Sequence, residues 1–456
     1  MSILKAHYLL WFGSLSGIMP FVTVFATAHT IATYEDIGLL YFVLPFLVAI
    51  IKPLFCSIAD RNGSHKKILL LFIIVTIIGY SLLLLIIYIK LGVISWILLC
   101  LLILLANTGQ GVVISLNDYI CMKEVTELNK SYGQYRVWGT VGWGTGGVIA
   151  GLINEYITQM PYLLPGLLMF IVIEGTDLML MYFKFKSITN QSEDNNSEIV
   201  ATFEPKHKPL VTILKKPFIA TAKSTRHVFH LFRHNPSIMQ YIVIILITGA
   251  LTAFHWSYYF AYIEKIRGKD TLLMGLALFV ESFAGELPIF IIANIILNYC
   301  GPSISLNISL GAFAFRYFIY GFVINYGNTY WDVLLIEVTQ GLTFGLFYTV
   351  MTDLAQHYAN QENERLRKVR EQLNVENRDD KDVCIAKAGD YEPRSYATMQ
   401  AIMSAAFEGI GLGIGALMGG YLIQIDTFLI WKVGAFLACF GILFNIVVDS
   451  LKYLYN

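Results

Sequence analysis

The chain contains twelve separate stretches of predominantly apolar residues, and these restrict its fold more than any other feature. Each is about 20 residues long, the length that an α-helix needs to cross the hydrocarbon core of a bilayer. Because backbone polar groups in lipid must be hydrogen-bonded within their own segment, the stretches predict an all-α polytopic membrane protein with twelve transmembrane helices. They lie near residues 8–28, 37–58, 68–89, 94–118, 136–157, 162–183, 238–262, 272–298, 303–324, 332–355, 396–421 and 427–449.

Composition agrees with a membrane protein and excludes several other classes. Apolar residues make up 56% of the chain and charged residues 14%, with a mean hydropathy of +0.61, too apolar for an ordinary soluble domain. The 32 basic and 32 acidic residues balance, so no overall field would attract nucleic acid. The HExxH motif and the nucleophile elbow are absent, and we predict neither an enzyme nor a bound cofactor.

The twelve stretches fall into two groups of six around a long polar segment. We therefore predict an N-terminal six-helix half at 1–183, a linker at 184–236, and a C-terminal six-helix half at 237–456 with a second loop at 358–393. Most lysines and arginines outside the stretches lie in connections on the same side as the N-terminus. This bias predicts that both termini and both long loops are cytoplasmic. In the absence of a retrieval or lipidation signal, the plasma membrane is the default location.

One basic residue, Arg136, stands at the start of the fifth apolar stretch. An arginine at this depth needs a carboxylate partner, and Asp118 at the end of the fourth stretch is the nearest candidate. Trp143 lies two helical turns further on the same face, where a solute held by the arginine could stack on the indole. The pair could either bind a solute or latch two helices together. The same stretch has glycines at spacings that let another helix approach closely, namely Gly142, Gly146, Gly147 and Gly151.

The C-terminal half repeats the glycine pattern of this stretch without its charge. Residues 147–151 resemble residues 415–419, which supports an internal duplication, but Ser404 stands at the position that matches Arg136. The two halves are therefore predicted to share their packing and to differ in chemistry.

Ionisable residues inside the apolar stretches are functional candidates, because their burial in lipid is costly. Arg316 on the ninth stretch is flanked by acids on the eighth and tenth, so it can exchange carboxylate partners, as proton carriage requires. A permanent pair between Arg316 and Glu337 that only fixes helix packing is the alternative. Lys52, Asp118 and Asp353 lie near enough to stretch ends to reach the interface. The full set is Lys52, Asp118, Glu174, Asp177, His255, Glu281, Glu286, Arg316, Glu337, Asp353 and Glu408.

Several motifs carry a resemblance to a known family. The segment 59–63, Ala-Asp-Arg-Asn-Gly, with the basic residues that follow it, resembles the cytoplasmic loop signature of the major facilitator superfamily. It differs in having Cys56 where a glycine is usual and Ser64 where a basic residue is usual. Segments 132–143, 285–290 and 336–345 resemble the branch that contains facilitator domain-containing protein six, which is itself similar to lactose permease.

This resemblance implies a cavity between two six-helix halves and alternating access by rocking. It implies that Asp118, Arg136 and Trp143 match the solute-binding residues of lactose permease. It also implies that Arg316 and Glu337 match the proton-coupling residues, with Glu281 an approximate match to an acid of the eighth helix. The remaining sugar contacts have no clear counterparts, so a sugar substrate is not inferred.

We therefore predict a monomeric secondary active transporter of a small polar organic solute, coupled to protons and embedded in the lipid bilayer. The alternative is a receptor or scaffold that keeps the fold without transporting, but the predicted outer connections, about 4–12 residues long, are short for partner binding. No metal site is predicted, because His227, His230 and His234 lack a cysteine or carboxylate to complete a ligand set. The predicted site residues are Arg136, Asp118, Trp143, His255 and Glu281 for solute, Glu337, Arg316 and Glu286 for protons, and Asp60 and Arg61 for gating.

Overall fold

The computed structural model describes residues 2–89, 91–128, 132–200, 236–324, 330–376 and 395–455, and within these ranges the regular structure is entirely helical. Four short π-helical segments and one 3₁₀ turn interrupt or join the α-helices. In chain order the α-helices are α1 (Ile3–Leu15), α2 (Val22–His29), α3 (Tyr34–Asn62), α4 (His65–Ser81), α5 (Leu83–Tyr88), α6 (Val93–Leu128), α7 (Gly133–Tyr156), α8 (Leu164–Val200), α9 (Pro236–Arg267), α10 (Thr271–Val280), α11 (Leu287–Phe318), α12 (Tyr330–Glu337), α13 (Phe347–Glu376), α14 (Ser395–Ser404), α15 (Leu412–Ile425) and α16 (Leu429–Tyr455).

These helices make the twelve crossings that the sequence predicts. Ten helical segments of the described chain are long and apolar enough to span a membrane. One of them, Thr271–Val323, is 53 residues long and reverses at Gly301, so it supplies two crossings. The fifth crossing is α7, whose glycines lower its hydropathy although its 24 residues span about 36 Å. The protein is therefore an all-α polytopic membrane protein, as expected from the apolar stretches.

Local sequence signals set several helix ends. The Thr33 hydroxyl and the Asp36 carboxylate cap each other's backbone N–H groups at the start of α3. Gly63 ends that helix in the left-handed conformation, at φ 59°. Gly301 has φ 74° and precedes Pro302, and this pair produces the reversal between the eighth and ninth crossings.

Two helices run beyond the membrane crossings that the sequence predicts. Helix α8 continues to Val200, so the first part of the predicted linker 184–236 is helical rather than irregular. Helix α13 continues to Glu376 through the charged run at 364–371, where residues of opposite charge stand four apart, as in a solvated helix. Once a helix is nucleated, each added residue contributes one backbone hydrogen bond. Polar residues that follow a membrane crossing can therefore continue its helix.

The described π-helical segments all lie in the C-terminal half. They are Glu281–Glu286, Ile319–Val323, Gly341–Leu346 and Ala405–Gly411. Such segments recur at functional sites because they locally break the regular backbone ladder. Here they contain three of the predicted ionisable residues, Glu281, Glu286 and Glu408, and a fourth, Glu337, lies four residues before the segment at Gly341.

The two halves meet most closely on the side away from the chain termini. The last turns of α7 pack on the first turns of α10, where a Cβ added at Gly151 would lie 2.5 Å from the Thr271 carbonyl oxygen. The first turns of α3 pack on the last turns of α15 in the same way, and a Cβ added at Gly420 would lie 2.3 Å from the Tyr34 carbonyl oxygen. Only glycine permits such backbone contact between helices. This side of the molecule is therefore closed.

Candidate solute and proton sites

Glu337 is the centre of a buried polar cluster in the C-terminal half. One carboxylate oxygen, Oε2, lies 2.9 Å from Nη2 of Arg316 and 3.4 Å from Nε2 of His255. The other, Oε1, accepts a hydrogen bond from the hydroxyl of Tyr320. The side chains of Arg316 and Glu337 have no exposed surface. A buried charge is tolerated only when it is paired in this way.

His255 connects Glu337 to a second carboxylate. Its Nε2 lies 2.7 Å from Oε1 of Glu281 as well as 3.4 Å from Glu337, and both neighbours are carboxylates. The proton of these contacts lies either on Nε2 or on a carboxyl group, according to the imidazole tautomer. The opposite nitrogen, Nδ1, is buried without a hydrogen-bond partner among the described residues. His255 is thus positioned between two acids, and the ring of Tyr259 is stacked on its other side at 4.5 Å.

A break in the tenth crossing brings Arg316 to Glu337. Helix α12 ends at Glu337, and the carbonyl of that residue accepts a hydrogen bond from Nη2 of Arg316. The remaining guanidinium nitrogens donate to Oγ1 of Thr339 at 2.9 Å and to Oε1 of Gln340 at 2.8 Å. An arginine that uses its three nitrogens in this way is held in one orientation. Broken helices at membrane depth are stable where such side chains satisfy the freed backbone groups.

The same cluster has metal-ligating side chains. His255, Glu281 and Glu337 each offer a ligand atom, and these atoms lie within 4.8 Å of one another. Arg316 already supplies a positive charge to Glu337, and this charge repels a divalent cation. The arrangement is better suited to a proton than to a metal ion.

The N-terminal half places Asp118 and Arg136 differently from the predicted ion pair. Oδ1 of Asp118 accepts hydrogen bonds from the hydroxyls of Tyr8 and Tyr132, at 2.9 and 2.7 Å. Arg136 lies over the ring of Phe12, with its guanidinium carbon 4.3 Å from the ring centroid. Asp118 and Arg136 form no ion pair in the described structure. The tyrosines satisfy Asp118, so the arginine is available to a ligand or to another acid.

Two acids of the C-terminal half face charged residues of the N-terminal half. Glu286 lies near Gln340, and its cationic neighbours are Arg136 and Arg316. Glu408 is exposed, and its charged neighbours are Lys52 and Asp118. These residues line the region between the halves. Glu286 therefore lies near both Arg136 and Arg316. The sequence analysis assigned these two arginines to separate functions.

The other predicted residues have simpler settings. Trp143 on α7 is half-buried against the core, and Asp353 on α13 is exposed. Asp60 and Arg61 lie in the last turn of α3, but their side chains are outside the described part of the structure. His227, His230 and His234 also lie outside the described residues.

The sequence did not predict the contacts of a second buried cluster, which lies in the N-terminal half. Nδ1 of His7 lies 2.7 Å from Oδ2 of Asp177, and the Ser14 hydroxyl lies within hydrogen-bond distance of the Glu174 carboxyl group. The sequence identified the two acids but neither their partners nor His7. The signal was the spacing of His7, Trp11 and Ser14, which puts three polar side chains on one face of α1.

Comparison with known proteins agrees with this architecture. A family model described as "MFS_1 like family" matches residues 1–365. A maltose permease from Geobacillus stearothermophilus is 22% identical over 443 residues, covering 97% of this chain and 91% of the permease. The nucleoside transporter NupG has a TM-score of 0.64 with 15% identity over 99% of both chains. A bacterial homologue of the human lysosomal transporter Spinster, in an inward-facing and unoccupied conformation, has a TM-score of 0.57 with 13% identity over 99% of this chain and 95% of that one.

Twelve crossings in two halves, together with the matching family model, assign the chain to the multi-pass membrane transporters of the major facilitator class. Because the family model covers most of the chain, the protein belongs to the MFS_1 like family. The predicted resemblance to the major facilitator superfamily is thereby confirmed. The narrower branch that contains facilitator domain-containing protein six stays a prediction.

Proposed function

We propose that the protein is a secondary active transporter that moves a small polar organic solute together with protons. The observation that carries the proton coupling is the set of contacts around Glu337, which is buried against Arg316, His255 and Tyr320 with Glu281 next to it. Two carboxylates face one arginine, so with a neutral histidine the cluster has one negative charge too many. One proton cancels that charge.

The members of the cluster lie on elements that can move relative to one another. Glu281 is on the π-helical segment after α10, Arg316 is on α11, and Glu337 ends α12. A rearrangement within the C-terminal half that slides α10 past α12 as the halves rock would change the distance between Glu281 and Glu337 and thereby their affinity for a shared proton. His255 offers the path between them, since its Nε2 contacts both carboxylates.

We assign the solute to the region between the halves, with Arg136 as its anchor. The guanidinium is half-buried over Phe12 and has no ion pair with Asp118, so it can bind a solute carboxylate, phosphate or hydroxyl. Glu286 is the acid that faces it from the other half. An arginine and an acid facing each other suit a polar solute with both donor and acceptor groups.

The orientation in the membrane completes the proposal. The bias of basic residues toward the connections on the N-terminal side supports a cytoplasmic location for both termini. The glycine contacts then close the outer side, and the region between the halves opens toward the cytoplasm. Alternating access requires that these contacts separate and that the opposite side closes.

The test uses purified protein in liposomes and a panel of labelled maltose, uridine and a dipeptide, which represent the maltose, nucleoside and oligopeptide classes named for similar transporters. We expect accumulation of at least one solute above equilibrium only when an inward proton gradient is imposed. Glu337→Gln should keep equilibrium exchange and lose accumulation. Glu364→Gln, on the exposed part of α13, is the matched control.

Solute accumulation that does not depend on the proton gradient would contradict the proposed coupling of transport to protons. A receptor or scaffold that only keeps the fold would move no solute of the panel, and its proton flux would not respond to Glu337→Gln.

A further inference from the structure

The N-terminal half contains its own buried group of ionisable side chains, separate from the cluster at Glu337. Helix α1 contributes His7, Trp11 and Ser14, helix α6 contributes Asn117, and helix α8 contributes Glu174 and Asp177. All six are buried, with at most 2% of any residue exposed. They lie inside a single half, away from the contact between the halves.

The charges of this group do not balance. The charged neighbour of His7 is Asp177, and that of Glu174 is also Asp177. Helices α4 and α7, which pack on α8, add no charged group to it among the described residues. With His7 protonated and paired to Asp177, the carboxylate of Glu174 is left without a counter-charge. A buried carboxylate without a counter-charge requires a bound positive ion.

Hydrogen bonding identifies that ion as a proton. Oγ of Ser14 lies 2.8 Å from the carbonyl oxygen of Trp11 and also contacts Oε2 of Glu174. A serine hydroxyl has one hydrogen to donate, and a backbone carbonyl can only accept. Both contacts are full two-centre hydrogen bonds only if Glu174 is a carboxylic acid that donates to Ser14 while Ser14 donates to Trp11.

Several buried polar atoms of the group have hydrogen-bonding capacity that its side chains do not use. The atoms Nε2 of His7, Nε1 of Trp11, Oδ1 of Asn117, Oε1 of Glu174 and Oδ1 of Asp177 are buried and have no hydrogen-bond partner among the described residues. Asn117 lies beside His7. This mixture of donors and acceptors suits water and a mobile proton, whereas a sodium ion would be coordinated by oxygen atoms and repelled by the two N–H donors.

We propose that Glu174, with Ser14, Asp177 and His7, forms a second proton-binding site in the N-terminal half, which holds its proton on Glu174 and exchanges it through buried water. The site ties α1 to α8, so loss of the proton weakens the packing of the first helix. It does not depend on proton coupling at Glu337. The protein thus has one titratable site in each half.

The experiment is infrared spectroscopy of the purified protein in lipid nanodiscs, across mildly acidic to mildly alkaline pH. We expect a carboxylic-acid C=O band that shifts in deuterated water, is absent from Glu174→Gln, and persists in Glu337→Gln. Ser14→Ala should move the frequency of the band and keep its intensity, because the hydrogen-bond partner is lost and the acid remains.

Glutamine replaces the protonated acid closely, so Glu174→Gln should keep the Tm of the parent protein at neutral pH. Identical carboxylic-acid bands in the parent protein and Glu174→Gln at every pH would overturn the proposal. So would a Tm that rises with sodium chloride but not with choline chloride, and that loses this response in Glu174→Gln, because the bound ion would then be sodium. Neither result bears on Glu337, whose own variant is measured in parallel.

Discussion

Nη2 of Arg316 and Oε2 of Glu337 lie 2.9 Å apart, and neither side chain has any exposed surface. They are 21 residues apart in sequence, on α11 and at the end of α12. In lipid such a pair is stable as a unit, because each charge removes the cost of burying the other. The pair is also where we propose that protons couple to transport. Its contribution to the stability of the protein can be measured without a transport assay.

Removing one member of this pair should destabilise the protein more than removing both. We expect Arg316→Met to lower stability by about 3–5 kcal/mol, because it leaves the Glu337 carboxylate buried without its counter-charge. Arg316→Met combined with Glu337→Gln should recover most of the loss. Thermal unfolding of the detergent-solubilised variants measures this, with Arg367→Met on the exposed part of α13 as the control. Equal losses in the single and double variants would mean that packing, and not charge, is what Arg316 supplies.

Arg136→Lys separates solute binding from a purely electrostatic latch. Lysine keeps the positive charge but loses the planar guanidinium that lies over Phe12 and can bind two oxygens at once. We expect the affinity for the transported solute to fall about tenfold, since the stacking and the bidentate geometry together contribute about 1–2 kcal/mol. Binding is measured by competition in the liposome assay. A variant with unchanged affinity would assign Arg136 to a latch. The control is Lys5→Arg, which exchanges one basic residue for another near Tyr135 and should leave the affinity unchanged.

Gly151→Ala should loosen the closed side. The added Cβ would lie 2.5 Å from the carbonyl oxygen of Thr271 and 3.0 Å from Cα of Gly275, so the two helices must separate. We expect spin labels on α7 and α10 to show a longer distance and a broader distribution. Gly175→Ala is the matched control, because nothing lies within 4 Å of its added Cβ. If both variants gave the parent distance, the closed side would not depend on glycine contacts.

Glu155 joins the halves through the first turn of α10. Its Oε2 accepts hydrogen bonds from the backbone nitrogen of Thr271 at 3.0 Å and from Oγ1 of the same residue at 3.1 Å. We expect Glu155→Ala to shift the equilibrium away from the closed outer side by about 1–3 kcal/mol, the contribution of hydrogen bonds to a charged group. The fraction of closed molecules in the same distance measurement reports this shift. Glu35→Ala, an exposed acid in the first turn of α3 on the same side, should leave that fraction unchanged.

The orientation in the membrane gives a further prediction. Basic residues in the connections predict that epitope tags at both termini are protected in intact cells and become accessible after permeabilisation. A tag inserted at Gly268, in the short connection between α9 and α10, should be accessible without permeabilisation. The opposite pattern would reverse the assignment of the closed side to the cell exterior.

The fold could be read from the sequence because a bilayer leaves few solutions for a long apolar stretch. Each stretch must satisfy its own backbone hydrogen bonds, so length and hydropathy determined the number of crossings. Gly301 and Pro302, and the capping pair Thr33 and Asp36, likewise set turns and ends by local chemistry. The sequence did not indicate how far α8 continues past its crossing, since polar residues favour helix and coil nearly equally.

The sites could be predicted only in part. The sequence identified Arg316, Glu337 and Glu281 as charges in lipid, since that property belongs to single residues. It did not indicate that His255 would lie between two carboxylates, or that Asp118 would be satisfied by Tyr8 and Tyr132 instead of Arg136.

The sequence by itself determined that this protein crosses the membrane twelve times in two halves and that it buries charges within them. Only the tertiary structure decided which charges meet. His7 and Asp177 are 170 residues apart, and their contact depends on the rotation of α1 and α8 about their own axes. That rotation is set by the packing of all neighbouring helices together, because a helix in lipid gains little from its own apolar pattern and must be oriented by contacts with the others.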